Sequence, residues 1–294
     1  MINPVFRRET RTSLRSWKIF AAMSAYTGIL TLVAAVTLAI SESASYNYSF
    51  NPQNVMILYI ALTAFQNLIV AIIVPSLTAS AISGERERQT LDLMLLTKMS
   101  TGSIVIGKLL SSMLTIVLII VASLPVFSIV FYFGGVSLLN LLGMMLFTLL
   151  FAAMTGSISI FFSTVTKKTI VSTVWTYIVL LAITLGNLTV AGVSAVLFEQ
   201  MPDTAVSNLV VYGLLALNPG VAFASLADMQ MNTGLFADMF NSMYYGYSGG
   251  ALQAAVDFIV GIPLWVPNLL AMGGITAVAL LASARLIKPV RDGK

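Results

Sequence analysis

The sequence predicts an all-α integral membrane protein: six transmembrane helices, an N-terminal interfacial helix and a re-entrant segment before the last span. Three observations predict it. Of 294 residues 58% are hydrophobic and 9% charged, with a mean hydropathy of +0.95; soluble domains carry about 25% charge. Stretches long enough for a bilayer crossing, roughly 17–25 mostly apolar residues, fall at Ile19–Ile40, Val55–Ile82, Leu109–Phe133, Leu138–Phe162, Ile170–Gly192 and Phe258–Leu286. The cations, finally, sit on only one set of the connections between these stretches.

Each element follows in order. Residues 1–18 mix Val5, Phe6, Leu14 and Trp17 with Arg7, Arg8, Arg11, Arg15 and Lys18, the pattern of a helix lying on anionic lipid headgroups. The apolar run after it exceeds the roughly 7–15 residues of a cleaved signal. It therefore reads as an uncleaved first span, opening a transmembrane domain over residues 19–294. Pro75 in span two and Pro125 in span three each predict a kink or a carbonyl left for another partner. Span three, counted from Lys108 to Phe133, is about 38 Å at ~1.5 Å per residue, longer than the hydrocarbon core. A further apolar stretch, Asn208–Ala227, is interrupted by Asn218-Pro219-Gly220 and reads as a re-entrant or surface-lying helical pair.

Charge sets the topology. With six spans, the N-terminus, Gly84–Gly102, Thr164–Thr169 and the C-terminus share one side, and all 15 Lys and Arg residues lie there. The other side carries only Glu42, Glu199, Asp203, Asp228, Asp238 and Asp257. The basic side is then cytoplasmic. A seventh crossing would put the C-terminal basic cluster outside.

Composition also excludes function classes. The chain has no Cys and no His, which removes thiol nucleophiles, imidazole bases and the commonest transition-metal ligands. No Asp, Glu, Lys or Arg lies well inside a span, so the usual coupling-ion groups of a carrier are missing, as is a base for an intramembrane nucleophile. An uphill transporter built this way takes its energy from outside the membrane.

The most polar stretch between two spans is Gly84–Ser100, GERERQTLDLMLLTKMS. Glu85-Arg86-Glu87-Arg88 alternate in sign; Leu91, Met94 and Leu95, with Met99 a turn on, share one helical face, and Asp92 is placed to pair with Arg88. Two readings stand: a solvated loop whose charges hold orientation, or a docking helix with its charges toward a soluble partner and its apolar stripe toward the bundle. Gly102–Leu109, GSIVIGKL, fits a phosphate-loop spacing, but Leu109 stands where Ser or Thr must meet Mg²⁺, and no strand precedes it. Lys108 is expected to snorkel at the interface.

The run Ile82–Leu110 resembles the loop joining spans two and three in ABC type-2 permeases, approximately E-x-E-x-G-T-L-E-x-L-L-x-T-P followed by G-K-L. Glu85, Glu87, Thr90, Leu91, Leu95, Thr97, Gly107, Lys108 and Leu109 match. Gln89 stands where Gly is usual, Asp92 replaces Glu, and Lys98 replaces Pro. The resemblance implies the fold of type V ABC exporters, with the coupling segment at residues 84–102 and the outer segment at 193–257. It implies a permease with no catalytic residues and no cofactor of its own, ATP and Mg²⁺ belonging to a separate cytoplasmic ATPase. The implied partners are two ATPase copies, a second permease (the same or a homologous chain) and membrane lipid, with no nucleic acid, in a bacterial plasma membrane with both termini cytoplasmic. Glu85, Arg86, Glu87, Arg88, Thr90, Leu91, Asp92, Met94 and Leu95 would form the ATPase-docking element.

Thr63, Gln66 and Asn67 in span two and Thr173, Thr176, Tyr177 and Asn187 in span five either hydrogen-bond neighbouring helices or line the pathway, as those spans do in resembling exporters. The outer segment is rich in Met and Tyr, which gather at membrane interfaces and on adaptable surfaces. Apolar walls lean toward amphipathic cargo. The competing functions are a non-transport scaffold or sensor that recruits a partner through the same loop, and an ion-coupled carrier.

Overall fold

A computed structural model describes residues 17–44, 52–91, 100–133, 136–198, 204–232, 234 and 261–287. The helices are α1 (Trp17–Ala44), α2 (Pro52–Thr78), α3 (Ser80–Glu87), α4 (Thr101–Ala122), α5 (Leu124–Tyr132), α6 (Leu138–Val165), α7 (Thr169–Leu181), α8 (Asn187–Phe198), α9 (Thr204–Ala216), α10 (Pro219–Met231) and α11 (Trp265–Leu286), with a π-helical turn at Ala182–Gly186 between α7 and α8. Among the described residues six helical stretches are long and apolar enough to cross a membrane. They overlap the six predicted spans. The interfacial helix at 1–18, residues 199–203, 233 and 235–257 of the outer segment, and Asp92–Met99 lie outside the described residues, apart from Trp17 and Lys18 at the start of α1.

The chain divides into two compact units, Met1–Tyr177 with Ile275–Lys294, and Ile178–Gly274. In the first, α6 is the central helix. Its buried residues run almost unbroken from Phe151 to Ile160, and many of them are small: Ala152, Thr155, Gly156, Ser157 and Ser159. Small side chains let helices approach closely where lipid supplies no hydrophobic drive between them. A methyl group added at Gly156 would stand 3.1 Å from Leu109 Cδ1 and 3.2 Å from Met113 Cε. α2 packs against α6 and α1 through residues every third or fourth position, among them Leu58, Leu62, Val70 and Val74. Tyr59 crosses the interface, donating to the Asn140 carbonyl at 3.1 Å and meeting Phe127 edge-on.

Carbonyls near Pro75 take partners from other helices, and span three breaks just before Pro125. Around Pro75, Tyr177 Oη donates to the Ile72 carbonyl at 2.6 Å and Ser159 Oγ to the Pro75 carbonyl at 3.2 Å. Span three breaks at Ser123, whose hydroxyl donates to Ile120 O at 2.6 Å, and α5 restarts with Pro125 in its first turn, where a missing N–H is harmless.

In the second unit α9 and α10 meet at 94°, so the predicted re-entrant pair is a sharply bent one. Asn218 makes the corner. Its Oδ1 accepts from the amides of Gly220 at 2.9 Å and Val221 at 3.3 Å, capping α10. Its Nδ2 donates to the Thr184 carbonyl in the π-helical turn at 2.7 Å. Asn268 Nδ2 holds the Ala216 carbonyl at 2.7 Å, at the end of α9, and Tyr212 Oη donates to Ile262 O at 2.8 Å.

Candidate functional site: a charged junction at the helix ends

The charged stretch 84–88 is the end of a helix rather than a loop. Span two continues through α3 to Glu87, and the ladder is carried past the break by Ala79 N–H donating to Pro75 O at 2.8 Å. Ala79 has no side chain with which to cap α3. Ser163 on α6 replaces the cap: its Oγ accepts from the amides of Ile82 at 3.0 Å and Ser83 at 2.9 Å.

α3 closes with a Schellman motif. Gln89 N–H donates to Arg86 O at 3.1 Å and Thr90 N–H to Glu85 O at 2.9 Å, the two bonds that define that stop. The motif needs a left-handed residue between them, and Gln89 has φ +56°. This is the position where glycine is usual in the resembling loop, for a physical reason: a Cβ in that conformation costs about 1–2 kcal/mol. Thr90 Oγ1 turns back onto the Glu85 carboxylate. Leu91 is then buried against Ala81, Ile82, Ile104, Val105, Leu109, Ile160 and Ile287, which fixes where the following segment leaves the bundle.

Each of three charges reaches a different helix. Glu85 Oε1 pairs with Lys108 Nζ at 2.9 Å, with the lysine side chain 9% exposed and the glutamate 26%. Lys108 therefore does not snorkel. It sits two turns into α4 facing the bundle, where a buried ammonium needs a carboxylate within reach. Arg86 Nη1 donates to Thr166 O at 2.9 Å and Nη2 to Thr164 O at 3.2 Å. These carbonyls belong to the end of α6, where orphan acceptors and the dipole favour a cation. Glu87 takes the opposite pole: Oε1 accepts from Thr169 N–H at 2.8 Å and Oε2 from Thr169 Oγ1 at 3.0 Å, at the first residue of α7. Arg88 caps α3 through its backbone N–H, which donates to Gly84 O at 3.1 Å; its side chain is exposed and makes no hydrogen bond or ion pair among the described residues. Asp92, Met94 and Leu95 lie outside those residues.

GSIVIGKL falls within α4 after Thr101, so its backbone amides are committed to helix bonds beyond the first turn and do not form a phosphate cradle. Of the polar residues on spans two and five, Thr63, Gln66 and Thr176 are buried, while Asn67, Thr173 and Tyr177 are partly exposed. Thr63, Thr173 and Thr176 return their hydroxyls to their own helices. Asn67 Nδ2 bonds Thr63 O at 2.9 Å while its Oδ1 is buried without a partner. Gln66 accepts a long 3.5 Å bond from Ser123. The long-range partners Lys108, Ser163, Thr164, Thr166 and Thr169 were not singled out as part of this site from sequence; the only available signal was a threonine-rich turn with Lys167 and Lys168 between spans four and five.

The described residues thus form an all-α, multi-pass membrane protein whose second span ends in an ion-paired, Schellman-closed turn. The chain belongs to the ABC-2 family of transporter proteins, whose pattern it matches over residues 3–286. No curated protein matches it. It is thus a transmembrane permease component of an ABC transporter, in a family whose membrane component is non-catalytic and associates with an ABC ATPase.

Proposed function

We propose that this permease exports its cargo using a separate ATP-hydrolysing subunit, which docks on the segment that begins at Arg88 and runs through Asp92, Met94 and Leu95. The observation that carries this reading is the division of labour along Glu85–Leu91. Glu85, Arg86 and Glu87 are engaged with the permease's own helices, Leu91 is buried in the core, and among the described residues the Arg88 side chain alone of these charges is left to meet a partner. Glu85, Arg86 and Glu87 thus serve docking by holding the element in place, with Thr90 closing its first turn. The one-sided distribution of Lys and Arg supports cytoplasmic termini. The complex would hold two permeases, the second identical or homologous, and two ATPases carrying ATP and Mg²⁺. Of the pathway candidates Thr63, Gln66, Asn67, Thr173, Thr176 and Tyr177, the partial exposure of Asn67, Thr173 and Tyr177 supports a role for these three in lining the pathway between permeases.

The test is Arg88→Glu. The variant should retain the wild-type melting temperature and lose the co-purifying ATPase, because the Arg88 side chain holds no partner among the described residues and the backbone bond to Gly84 survives the substitution. Undiminished co-purification would remove Arg88 from the docking surface. Reversing Glu85 or Glu87 tests something else, since each also breaks a bond inside the permease.

A further inference from the structure

We infer that Glu87 is the positioning residue of a linkage that carries movement of the docking segment into span five. The inference rests on the reading that an ATPase docks on that segment. The three ties made by the end of α3, from which the segment continues, are not equivalent. Glu85–Lys108 joins α3 to α4, the two helices that flank the segment, so it closes the base of the projection and reaches no further. Arg86 and Glu87 instead reach the turn between α6 and α7, about 80 residues along the chain.

There, opposite charges grip opposite helix poles: a cation on the last carbonyls of α6 and an anion on the first amide of α7. The Glu87 carboxylate accepts from two donors on one residue, the N–H and hydroxyl of Thr169. A two-point hold sets direction as well as distance. Ser83 Oγ adds a 3.3 Å bond to the same Thr169 hydroxyl. From Thr169 to Leu181 α7 is unbroken helix, so displacing its first residue displaces Thr173, Thr176 and Tyr177 with it. The magnitudes separate transmission from stability. Glu87 and its bonds to Thr169 are exposed, and where water competes for both partners a hydrogen bond contributes little net stability to folding. Removing the carboxylate should leave the fold and remove the linkage.

The chain has no cysteine, so a single environment-sensitive thiol label can be placed at will. Two exposed positions serve: Ile170→Cys in the first turn of α7, 77% exposed, and Ile106→Cys near the start of α4, 48% exposed. In the complex of full-length chain with its co-purifying ATPase, ATP and Mg²⁺ should change the emission at both. With Glu87→Gln the Ile106 response should persist and the Ile170 response should fall about tenfold, the scale of one charge-assisted hydrogen bond. Glu87→Asp should restore most of it. A wild-type Ile170 response in Glu87→Gln overturns the linkage and leaves docking intact. No response at either label in the wild-type complex removes the docking reading and the linkage with it. Should Glu87→Gln not assemble, Thr169→Ala, which keeps the amide and deletes the hydroxyl, decides: an unchanged Ile170 response overturns the inference, a reduced one supports it.

Discussion

The charged junction around Glu85–Leu91 and the bent pair α9–α10 solve one problem with different chemistry. Both leave backbone donors and acceptors stranded where helices stop, and burial makes stranded groups expensive. At the junction the repairs are ionic: Arg86 on the α6 carbonyls, Glu87 on the α7 amide, Glu85 on a buried lysine. At the bend they are neutral: Asn218 on the α10 amides and on Thr184 O, Asn268 on Ala216 O, Tyr212 on Ile262 O. An amide can satisfy a carbonyl without the large desolvation penalty of a charge. Charge is retained where one end of the pair can still reach water, as the 26% exposure of Glu85 shows.

The contrast breaks most visibly at Lys108. Lys108→Ala leaves the Glu85 carboxylate half-buried beside an apolar cluster and should destabilise the protein by about 3 kcal/mol. Adding Glu85→Ala should recover more than half of that, a positive coupling in a double-mutant cycle followed by thermal unfolding in detergent. If the two losses simply add, the ion pair is not the tie described. Asn218→Leu should follow at about 2 kcal/mol, combining a lost helix cap with a lost buried bond. Faster hydrogen exchange at the Gly220 and Val221 amides would locate the damage, and unchanged exchange would contradict the corner assigned to Asn218.

Tyr177→Phe removes one membrane-depth hydroxyl from the Ile72 carbonyl and should cost only about 0.6 kcal/mol. A larger loss would mean that the helix around Pro75 depends on it. Gln89→Gly should have the opposite sign and a smaller size, a gain of about 0.5 kcal/mol after relief of the left-handed strain is offset by glycine's greater unfolded freedom. Destabilisation there would show that the Gln89 side chain holds something beyond its backbone conformation.

How much of this could be read from residues alone divides along a physical line. The six spans, the break beside Pro125 and the corner at Asn218-Pro219-Gly220 were legible, because apolar run length, proline and turn chemistry are local signals. The glutamine at a glycine position was visible as an anomaly, and its φ of +56° explains it. Partnerships were not legible. Lys108 looked like a snorkelling cation because sequence shows its neighbours and not the face it turns inward. Nothing periodic connects Glu87 with Thr169 or Arg86 with Thr164 and Thr166, since these bonds depend on how helices distant in the chain are brought together. The charges of Glu85-Arg86-Glu87 read as a surface for a partner because alternating charge on a projecting segment ordinarily faces water.

The account depends on a membrane bundle that receives its work from an attached ATPase. Mass measurement of the intact assembly, released from its native membrane in mild detergent, tests this most directly. The predicted result is a particle of two permease chains and two copies of an ATP-hydrolysing subunit. A particle containing this chain alone, active in moving cargo without ATP, would contradict it.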